Sequence, residues 1–347
     1  MSEINFDPVT LTQSLVKCAS VTPKDEGALT VVENHLSAIG CDCHPLTFSG
    51  NNSYEVKNLF ATVGNEGKHF AYAGHTDVVP VGNESSWKYP PFSAQIDGGK
   101  LYGRGSEDMK SSVACFISAA KRFVDKYKNI PGKISFIITG DEERDSVNGT
   151  PRILEWASKQ NYKFDHCLVG EPTSKNEVGD KVKIGRRGSV SFFFQVKGIQ
   201  GHTANSHLAE NSSHHLVNLL NSILEEPLDE GNENFLPTSV QIATIDIGNP
   251  VQNVIPELAK ATVNIRFNDM HSSDSLIKWI DNKIEKIFSK LENASCTYTY
   301  DATAESFLNK AGDLYNIISK SISDVTGRNS PPEQATDGGT SDARYIK

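Results

Sequence analysis

The first 170 residues alternate short apolar runs with amphipathic helical patterns, and this rhythm limits the possible folds more than any other feature of the sequence. Strand-like apolar runs are predicted at residues 58–63, 70–73, 134–139 and 166–169. Apolar residues at helical spacing predict helices at residues 8–18, 28–39, 109–127 and 151–159. Because strands that alternate with helices build layered α/β structures, we expect an α/β domain with a mostly parallel sheet flanked by helices.

The pattern changes after Gly188. A strand, a helix, two strands, a helix and a strand follow at residues 190–196, 207–224, 239–247, 259–267, 273–291 and 296–300. This βαββαβ order is typical of a ferredoxin-like domain. A helix at 307–325 then returns the chain to the first domain. We therefore predict a first domain in two parts, 1–187 and 302–347, with an inserted domain at 188–301.

The length and the charge of the chain exclude several classes of protein. With 347 residues it is long enough for about two domains. The 34 basic and 43 acidic residues leave a net charge of −9, and no run of five basic residues occurs. Neither a nucleic acid nor an anionic membrane is therefore expected as a partner. A small molecule or a peptide is the expected substrate.

The N-terminus and the cysteines favour a cytoplasmic protein. The sequence has no apolar span of 18 residues, and its first residues lack the basic start and the apolar core of a secretion signal. Six scattered cysteines without CxxC spacing are typical of reduced thiols. Cys41 and Cys43 are open to interpretation as a redox or metal pair, but ordinary thiols are the simpler interpretation.

Four turns that follow apolar runs carry acidic residues or histidine. Open α/β sheets place their ligand sites at the carboxyl ends of strands, so these turns are expected to meet. Taken singly, they have simple explanations: a capped turn, a helix N-cap or solvated charge. Taken together, one imidazole and several carboxylates form a ligand set suited to Zn²⁺, Co²⁺ or Mn²⁺. The turns are centred on His75 with Asp77, on Asp108, on 141–143 (DEE) and on Glu171.

No competing catalytic motif is present. The sequence lacks GxSxG, GxxxxGK[ST] and HExxH, and it has no GxGxxG after a strand. Packing three consecutive carboxylates after a buried strand is costly unless cations compensate the charge. A metal site assembled from loops at the edge of the sheet is therefore the expected site.

The ordered motifs resemble those of the co-catalytic zinc amidohydrolases and exopeptidases that include carboxypeptidase G, aminoacylase and acetylornithine deacetylase. The shared motifs are GHTDVVP at 74–80, YGRG at 102–105 with DMK at 108–110, DEE at 141–143 and GEP at 170–172. Longer strings narrow the resemblance to members that hydrolyse N-succinyl-L,L-2,6-diaminopimelate to succinate and L,L-diaminopimelate. These strings are WKYPPF at 87–92, VNGT at 147–150, GRRGS at 185–189, NVIP at 253–256 and GGTSD at 338–342.

The resemblance implies a site with two divalent metal ions, Zn²⁺ or Co²⁺. Asp108 would bridge the two ions, His75 and Glu171 would complete one of them, and Glu143 would bind the other. Glu142 would act as general base and acid. Asp77 would orient His75.

The resemblance also assigns residues of the inserted domain and the tail. His202 would stabilise the oxyanion in the site of a partner subunit, although a helix cap is the simpler interpretation of this residue. Asn253 would lie near His202, while Arg186, Gly339 and Thr340 would hold the carboxylates and the amide of the substrate. The inserted domain would serve as a lid and as the contact of a homodimer.

Three residues and the end of the chain depart from the family pattern. Ser111 and Arg144 stand where Gly is usual, and Asn205 stands where a Tyr is typical. Family members continue beyond SDARYIK to a further metal-binding His, so the 347 residues are expected to bind the second metal weakly and to be impaired in hydrolysis. The alternative functions are another acyl-amino-acid deacylase, such as acetylornithine deacetylase, and a non-catalytic metal-binding remnant.

Overall fold

The computed structural model describes residues 4–50, 52–127, 129–310 and 312–346, and it divides the chain into two compact units. The first unit comprises the described residues up to Thr173 together with Ser341–Ile346. The second unit runs from Ser174 to Thr340. No helix in the described parts of the chain is both long enough and apolar enough to span a bilayer.

The first unit is built around a sheet with the strand order β1-β2-β6-β3-β7. Its helices are α1 (Pro8–Lys17), α2 (Ala28–Ile39), α3 (Ser111–Lys126) and α4 (Thr150–Lys159). Its strands are β1 (Asp42–Gly50), β2 (Ser53–Gly64), β3 (His69–His75), β4 (Gln95–Asp97), β5 (Lys100–Tyr102), β6 (Lys133–Thr139) and β7 (His166–Val169). Strand β3 pairs in parallel with β6 and β7, as predicted. Strand β2 is antiparallel to β1 and β6, so the sheet is mixed.

Alternation along β6 shows how the sheet buries both of its faces. Phe136 and Ile138 pack in one cluster with residues of α1, α2 and α3. Ile137, between them, packs in a second cluster with residues of α4. Successive side chains of a strand point to opposite faces, so a continuous apolar run is what a sheet covered on both sides requires. The unit therefore has three layers, with the carboxyl ends of β3, β6 and β7 at one edge.

The second unit contains a four-stranded antiparallel sheet with the order β12-β14-β10-β15. Its helices are α5 (Ser212–Leu224), α6 (Ser273–Phe288) and α7 (Asp313–Thr326). Its strands are β8 (Lys181–Lys183), β9 (Gly185–Arg186), β10 (Gly188–Lys197), β11 (Gly201–His202), β12 (Ser239–Asp246), β13 (Val254–Ile255), β14 (Leu258–Phe267), β15 (Ser295–Ala304), β16 (Phe307–Leu308) and β17 (Glu333–Ala335). The order β10-α5-β12-β14-α6-β15 is the βαββαβ pattern predicted from the sequence.

Short strand pairs tie further residues to the second unit. Strand β8 pairs with β17, and β9 pairs with β16, so residues before β10 are bonded to residues after β15. The predicted domain limits at 187/188 and 301/302 therefore fall inside this unit. The assignment of 188–301 as an inserted domain stays a prediction.

Candidate metal centre

Three of the four acid- or histidine-bearing turns start from neighbouring parallel strands. His75 is the last residue of β3, the DEE run at 141–143 follows β6, and Glu171 follows β7. Because these strands run in the same direction, their carboxyl ends meet at one edge of the sheet. Asp108 reaches the same place from the turn Ser106–Lys110, which precedes α3.

His75 lies at the centre of the cluster. Its side chain is 1% exposed, and its Nε2 atom lies 3.1 Å from Oδ1 of Asp108 and 4.0 Å from Oε1 of Glu171. Its Nδ1 atom lies 2.9 Å from the carbonyl oxygen of Asp77 and 3.5 Å from the carboxylate of Asp77. Burial alone would lower the pKa of His75, but Asp108 and Asp77 outweigh this effect and raise it well above its ordinary value.

Two groups of three side chains could each hold a metal ion. One consists of His75, Asp108 and Glu143, and the other of His75, Glu142 and Glu171. Within each group, one ligand atom per residue lies within 4.8 Å of the others. The predicted ligands are thus brought together, and Glu142, predicted as the general base, also lies within ligand distance. Imidazole with carboxylates is a donor set that zinc accepts, so these residues fit a divalent cation.

The carboxylates of the cluster are held at an electrostatic cost. Burial raises the pKa of Glu142 to about 8, and the charges of Asp342, Glu171 and Glu143 add to this effect although His75 opposes it. Burial also raises the pKa of Glu143, with a contribution from the charge of Asp108. Buried like charges disfavour ionisation. A divalent cation among them would remove this cost.

Asp342 adds a further buried carboxylate to this unit. Asp342 is only 4% exposed to solvent. The guanidinium of Arg344 lies 3.9 Å from Oδ1. Burial raises the pKa of Asp342 to about 6, and the side chain of Thr150 and the charge of Arg344 offset this only in part. The motif that contains Asp342 was noted in the sequence, but no role was predicted for this residue.

Hydrogen bonds from neighbouring residues stabilise the turn that carries Glu142 and Glu143. The phenol of Tyr54 donates to Oδ1 of Asp141 at 2.5 Å, and the backbone N–H of Asn148 donates to Oδ2 at 3.1 Å. The hydroxyl of Ser146 donates to the carbonyl oxygen of Glu142 at 2.8 Å. Sequence reasoning missed Tyr54, because nothing in the residues around it marks a contact with a loop 87 positions away.

Two departures from the family pattern are accommodated locally. Arg144 is exposed, and its guanidinium lies over the ring of Tyr54 at 5.7 Å. Ser111 is the first residue of α3 and has ordinary right-handed helical angles, so glycine is not required there. Both side chains therefore fit beside the ligand turns.

The predicted substrate residues lie in the second unit. Strands β11 and β13 bring His202 next to Asn253, whose carbonyl oxygen accepts the N–H of Thr203 at 3.0 Å. The ring of His202 caps the following turn, since its Nδ1 atom accepts the N–H of Ala204 at 3.0 Å. The interpretation of His202 as a cap of the following turn therefore agrees with this contact. Asn205 is exposed in the same turn.

Arg186, Gly339 and Thr340 are associated through a loop. Arg186 donates from Nη1 to the carbonyl oxygen of Asp337 at 3.1 Å, two residues before Gly339. Arg266 lies with its Nη1 atom 3.4 Å from the hydroxyl of Thr340. Arg266 was not predicted, since a lone arginine at the end of an amphipathic strand has no distinguishing signal.

Comparison with known proteins agrees with the fold and identifies the family. Residues 71–347 match the sequence model of Peptidase family M20/M25/M40, so the chain belongs to this family. Two relatives named succinyl-diaminopimelate desuccinylase are each 44% identical to it. The relative from Parvibaculum lavamentivorans aligns over 342 residues, which are 99% of this chain and 85% of the relative. The relative from Bradyrhizobium sp. aligns over 341 residues, which are 98% of this chain and 88% of the relative.

Solved structures show the same fold. The M20 family metallo-carboxypeptidase Sso-CP2 from Sulfolobus solfataricus matches with a TM-score of 0.75 and 16% sequence identity. The match covers 98% of this chain and 88% of that chain. The chain is therefore a hydrolase of a family with metallopeptidase members, and its imidazole and carboxylates form two candidate groups for binding divalent metal ions.

Proposed function

We propose that this protein hydrolyses N-succinyl-L,L-2,6-diaminopimelate to succinate and L,L-diaminopimelate. The observation that carries the proposal is the ligand cluster at the sheet edge, in a chain that is 44% identical over nearly its whole length to two relatives named for this reaction. The reaction belongs to the biosynthesis of diaminopimelate and lysine.

The proposed site takes two divalent ions, Zn²⁺ or Co²⁺. His75, Asp108, Glu143 and Glu171 would hold them, with Asp108 as the bridging carboxylate. Such ions polarise the amide carbonyl of the substrate and offset the negative charge of the transition state. Nε2 of His75 can bind only one ion, so the second ion of the proposal would depend on the carboxylates that remain in the cluster.

Glu142 is proposed as the proton carrier. Its backbone is fixed by Asp77 and Ser146, and its carboxylate faces the cluster that contains His75 and Glu171. A carboxylate oxygen of Glu142 would accept a proton from the attacking water and deliver it to the nitrogen of the leaving amine. Asp77 would keep the ring of His75 in place through its carbonyl oxygen, which lies 2.9 Å from Nδ1.

The second unit is proposed to bind the substrate. Arg186 suits a dicarboxylate because a guanidinium bonds a carboxylate through two parallel hydrogen bonds. Gly339 and Thr340 follow the loop that Arg186 contacts, so they would lie against the same substrate. His202 would stabilise the oxyanion in the site of a partner subunit, and Asn253 would contact the substrate nearby, which the pairing of β11 with β13 supports.

A homodimer through the second unit is also proposed. Strand β12 is an edge of the four-stranded sheet, and Ile245 on it is 54% exposed. Val217 and Leu224 of α5, which packs on β12, are 58% and 51% exposed. Apolar side chains next to an open strand edge favour pairing with a second copy. Sedimentation equilibrium should give twice the monomer mass, and Ile245→Lys should shift the protein to monomer.

A cytoplasmic location completes the proposal. All six cysteines are free thiols in the structure, which supports a reducing compartment.

A ratio of two rates tests the proposed reaction. The values of kcat/KM for N-succinyl-L,L-diaminopimelate and for N-acetylornithine are compared on the zinc-loaded and the cobalt-loaded protein, so the conclusion does not depend on the absolute rate. We expect kcat/KM for the succinylated substrate to be well above that for N-acetylornithine, so that their ratio is well above one. A ratio below one would favour the deacetylase alternative. The absence of both activities, with intact metal binding, would favour a non-catalytic metal-binding protein.

A further inference from the structure

The side chain of Thr22 reaches the metal centre from outside the four predicted turns. Its hydroxyl donates to Oδ2 of Asp77 at 2.7 Å, and both residues are buried, at 4% and 1% exposure. Thr22 lies before residue 71, at which the family match begins. A buried carboxylate requires several hydrogen-bond donors. Because Thr22 supplies one of them, the orientation of the Asp77 carboxylate decides which other groups can donate to it.

The other donors of Asp77 are two consecutive backbone groups. The N–H of Glu142 lies 3.2 Å from Oδ1 and 3.1 Å from Oδ2, and the N–H of Glu143 lies 3.1 Å from Oδ2. These distances are shorter than the 3.5 Å between the same carboxylate and Nδ1 of His75. The carboxylate of Asp77 therefore holds the turn of the two glutamates more closely than it holds the imidazole ring.

Thr22 is itself held in a fixed position. The N–H of Val78 donates to the carbonyl oxygen of Ser20 at 3.0 Å, and the N–H of Thr22 donates to the carbonyl oxygen of Val78 at 3.2 Å. The hydroxyl of Ser20 donates to the carbonyl oxygen of Thr76 at 2.6 Å. The segment after α1 thus runs beside the turn after β3 like a short parallel strand, with the hydroxyl of Thr22 directed at Asp77.

We propose that Thr22 is a positioning residue for the catalytic carboxylates. Its hydroxyl keeps the Asp77 carboxylate in the rotation that accepts both N–H groups, and these bonds set the direction in which the side chains of Glu142 and Glu143 leave the turn. Without the hydroxyl, one oxygen of a buried anion loses its side-chain donor, and the carboxylate turns toward His75. The part of this inference that concerns catalysis rests on the proposed function, whereas the part that concerns the turn does not.

Amide hydrogen exchange tests the positioning directly, without substrate. Thr22→Val keeps the shape of the side chain and removes the donor, and Thr22→Ser keeps the donor. We expect exchange at the N–H groups of Glu142 and Glu143 to become at least about tenfold faster in Thr22→Val and to stay at the wild-type rate in Thr22→Ser. Unchanged exchange in Thr22→Val would overturn the proposal.

A matched control excludes a general loss of stability. Thr12 is also a buried threonine near the N-terminus, but its hydroxyl bonds only within α1, to the carbonyl oxygen of Pro8 at 2.7 Å. Thr12→Val should leave the exchange of Glu142 and Glu143 unchanged, and an equal acceleration in both valine variants would count against the proposal. If Thr22→Val does not fold, Thr22→Cys, whose thiol is a weak donor, should give an intermediate exchange rate. A rate in Thr22→Cys equal to that of Thr22→Ser would reject the role of the hydroxyl.

A kinetic measurement connects the turn to the reaction. With N-succinyl-L,L-diaminopimelate, Thr22→Val should lower kcat about tenfold and leave KM close to the wild-type value, because the proposed substrate contacts lie in the second unit. Thr22→Ser should restore kcat. A rise in KM alone would contradict the positioning role. If the wild-type protein shows no turnover, the proposed function fails while the exchange experiment still decides the role of Thr22.

Discussion

At the scale of single residues, the side chain of Glu142 has two possible roles. It belongs to one candidate ligand group, and it is also the proposed general base. Glu142→Gln should lower kcat by about two to four orders of magnitude, because a general base contributes this much to many hydrolytic reactions. The amount of bound zinc, measured by elemental analysis, should stay the same.

A nearby glutamate provides the control for this substitution. Glu107 is exposed and precedes Asp108, and it belongs to neither ligand group. Glu107→Gln should leave both kcat and the zinc content unchanged. A loss of zinc from Glu142→Gln that matches its loss of activity would identify Glu142 as a ligand instead.

Asp342 should make the stability of the metal-free protein depend on pH. Burial raises its pKa from 3.8 to about 6, so between these pH values the folded protein keeps a proton that the unfolded chain releases. The contribution of this carboxyl to stability is therefore complete below about pH 4 and is lost as the pH rises through about 6. The loss should reach about 3 kcal/mol, since each pKa unit corresponds to about 1.4 kcal/mol.

The comparison with Asp342→Asn isolates this effect from other carboxylates. The free energies of unfolding of both proteins are measured with urea between pH 4 and pH 8, after removal of metal by a chelator. The difference between them should shift in favour of the Asn variant by about 2.4 kcal/mol over this interval, which begins slightly above the unfolded pKa. A difference that does not change with pH would show that folding does not raise the pKa of Asp342.

Site residues at the ends of strands and site residues that come from distant parts of the chain differ in how well the sequence predicts them. His75 ends β3, and Glu143 and Glu171 lie in the turns after β6 and β7, so their meeting at one edge follows from the parallel pairing of these strands. Thr22 and Tyr54 reach the site through contacts between residues 55 and 87 positions apart. Such contacts depend on how loops pack, which apolar periodicity does not record.

At the scale of secondary structure, β10 offers a test of how its side chains alternate between the two faces of the sheet. Phe192 is fully buried in the core of the second unit, whereas its neighbour Phe193 is 45% exposed on the opposite face of the strand. Phe192→Ala should destabilise the protein by about 3–5 kcal/mol, because it leaves a cavity in a packed core. Phe193→Ala should cost about 1 kcal/mol or less, as measured by thermal unfolding. Equal effects would contradict the assigned register.

Elements with a strong apolar pattern were predicted closely, and weak ones were missed. The helix at Ala28–Ile39 and the strand at His166–Val169 have the predicted limits. Strand β1 was missed, because its residues between Asp42 and Gly50 are all exposed or half-buried and form no apolar run. The predicted helix at 207–224 begins only at Ser212, where the side chain of Asn211 caps its first turn.

At the scale of the whole molecule, the two units should respond differently to metal. Both candidate ligand groups lie in the first unit, and no such group of three occurs among the described residues of the second. Ligands that bind only the folded state stabilise it by about 2.7 kcal/mol at a concentration one hundred times Kd. Zinc should therefore slow amide exchange in peptides from residues 70–78, 104–112 and 139–149, and should leave β10, β14 and β15 unchanged. His75 belongs to both groups, so His75→Ala should abolish the protection. Equal protection of both units, or protection that persists in His75→Ala, would show that zinc binds elsewhere.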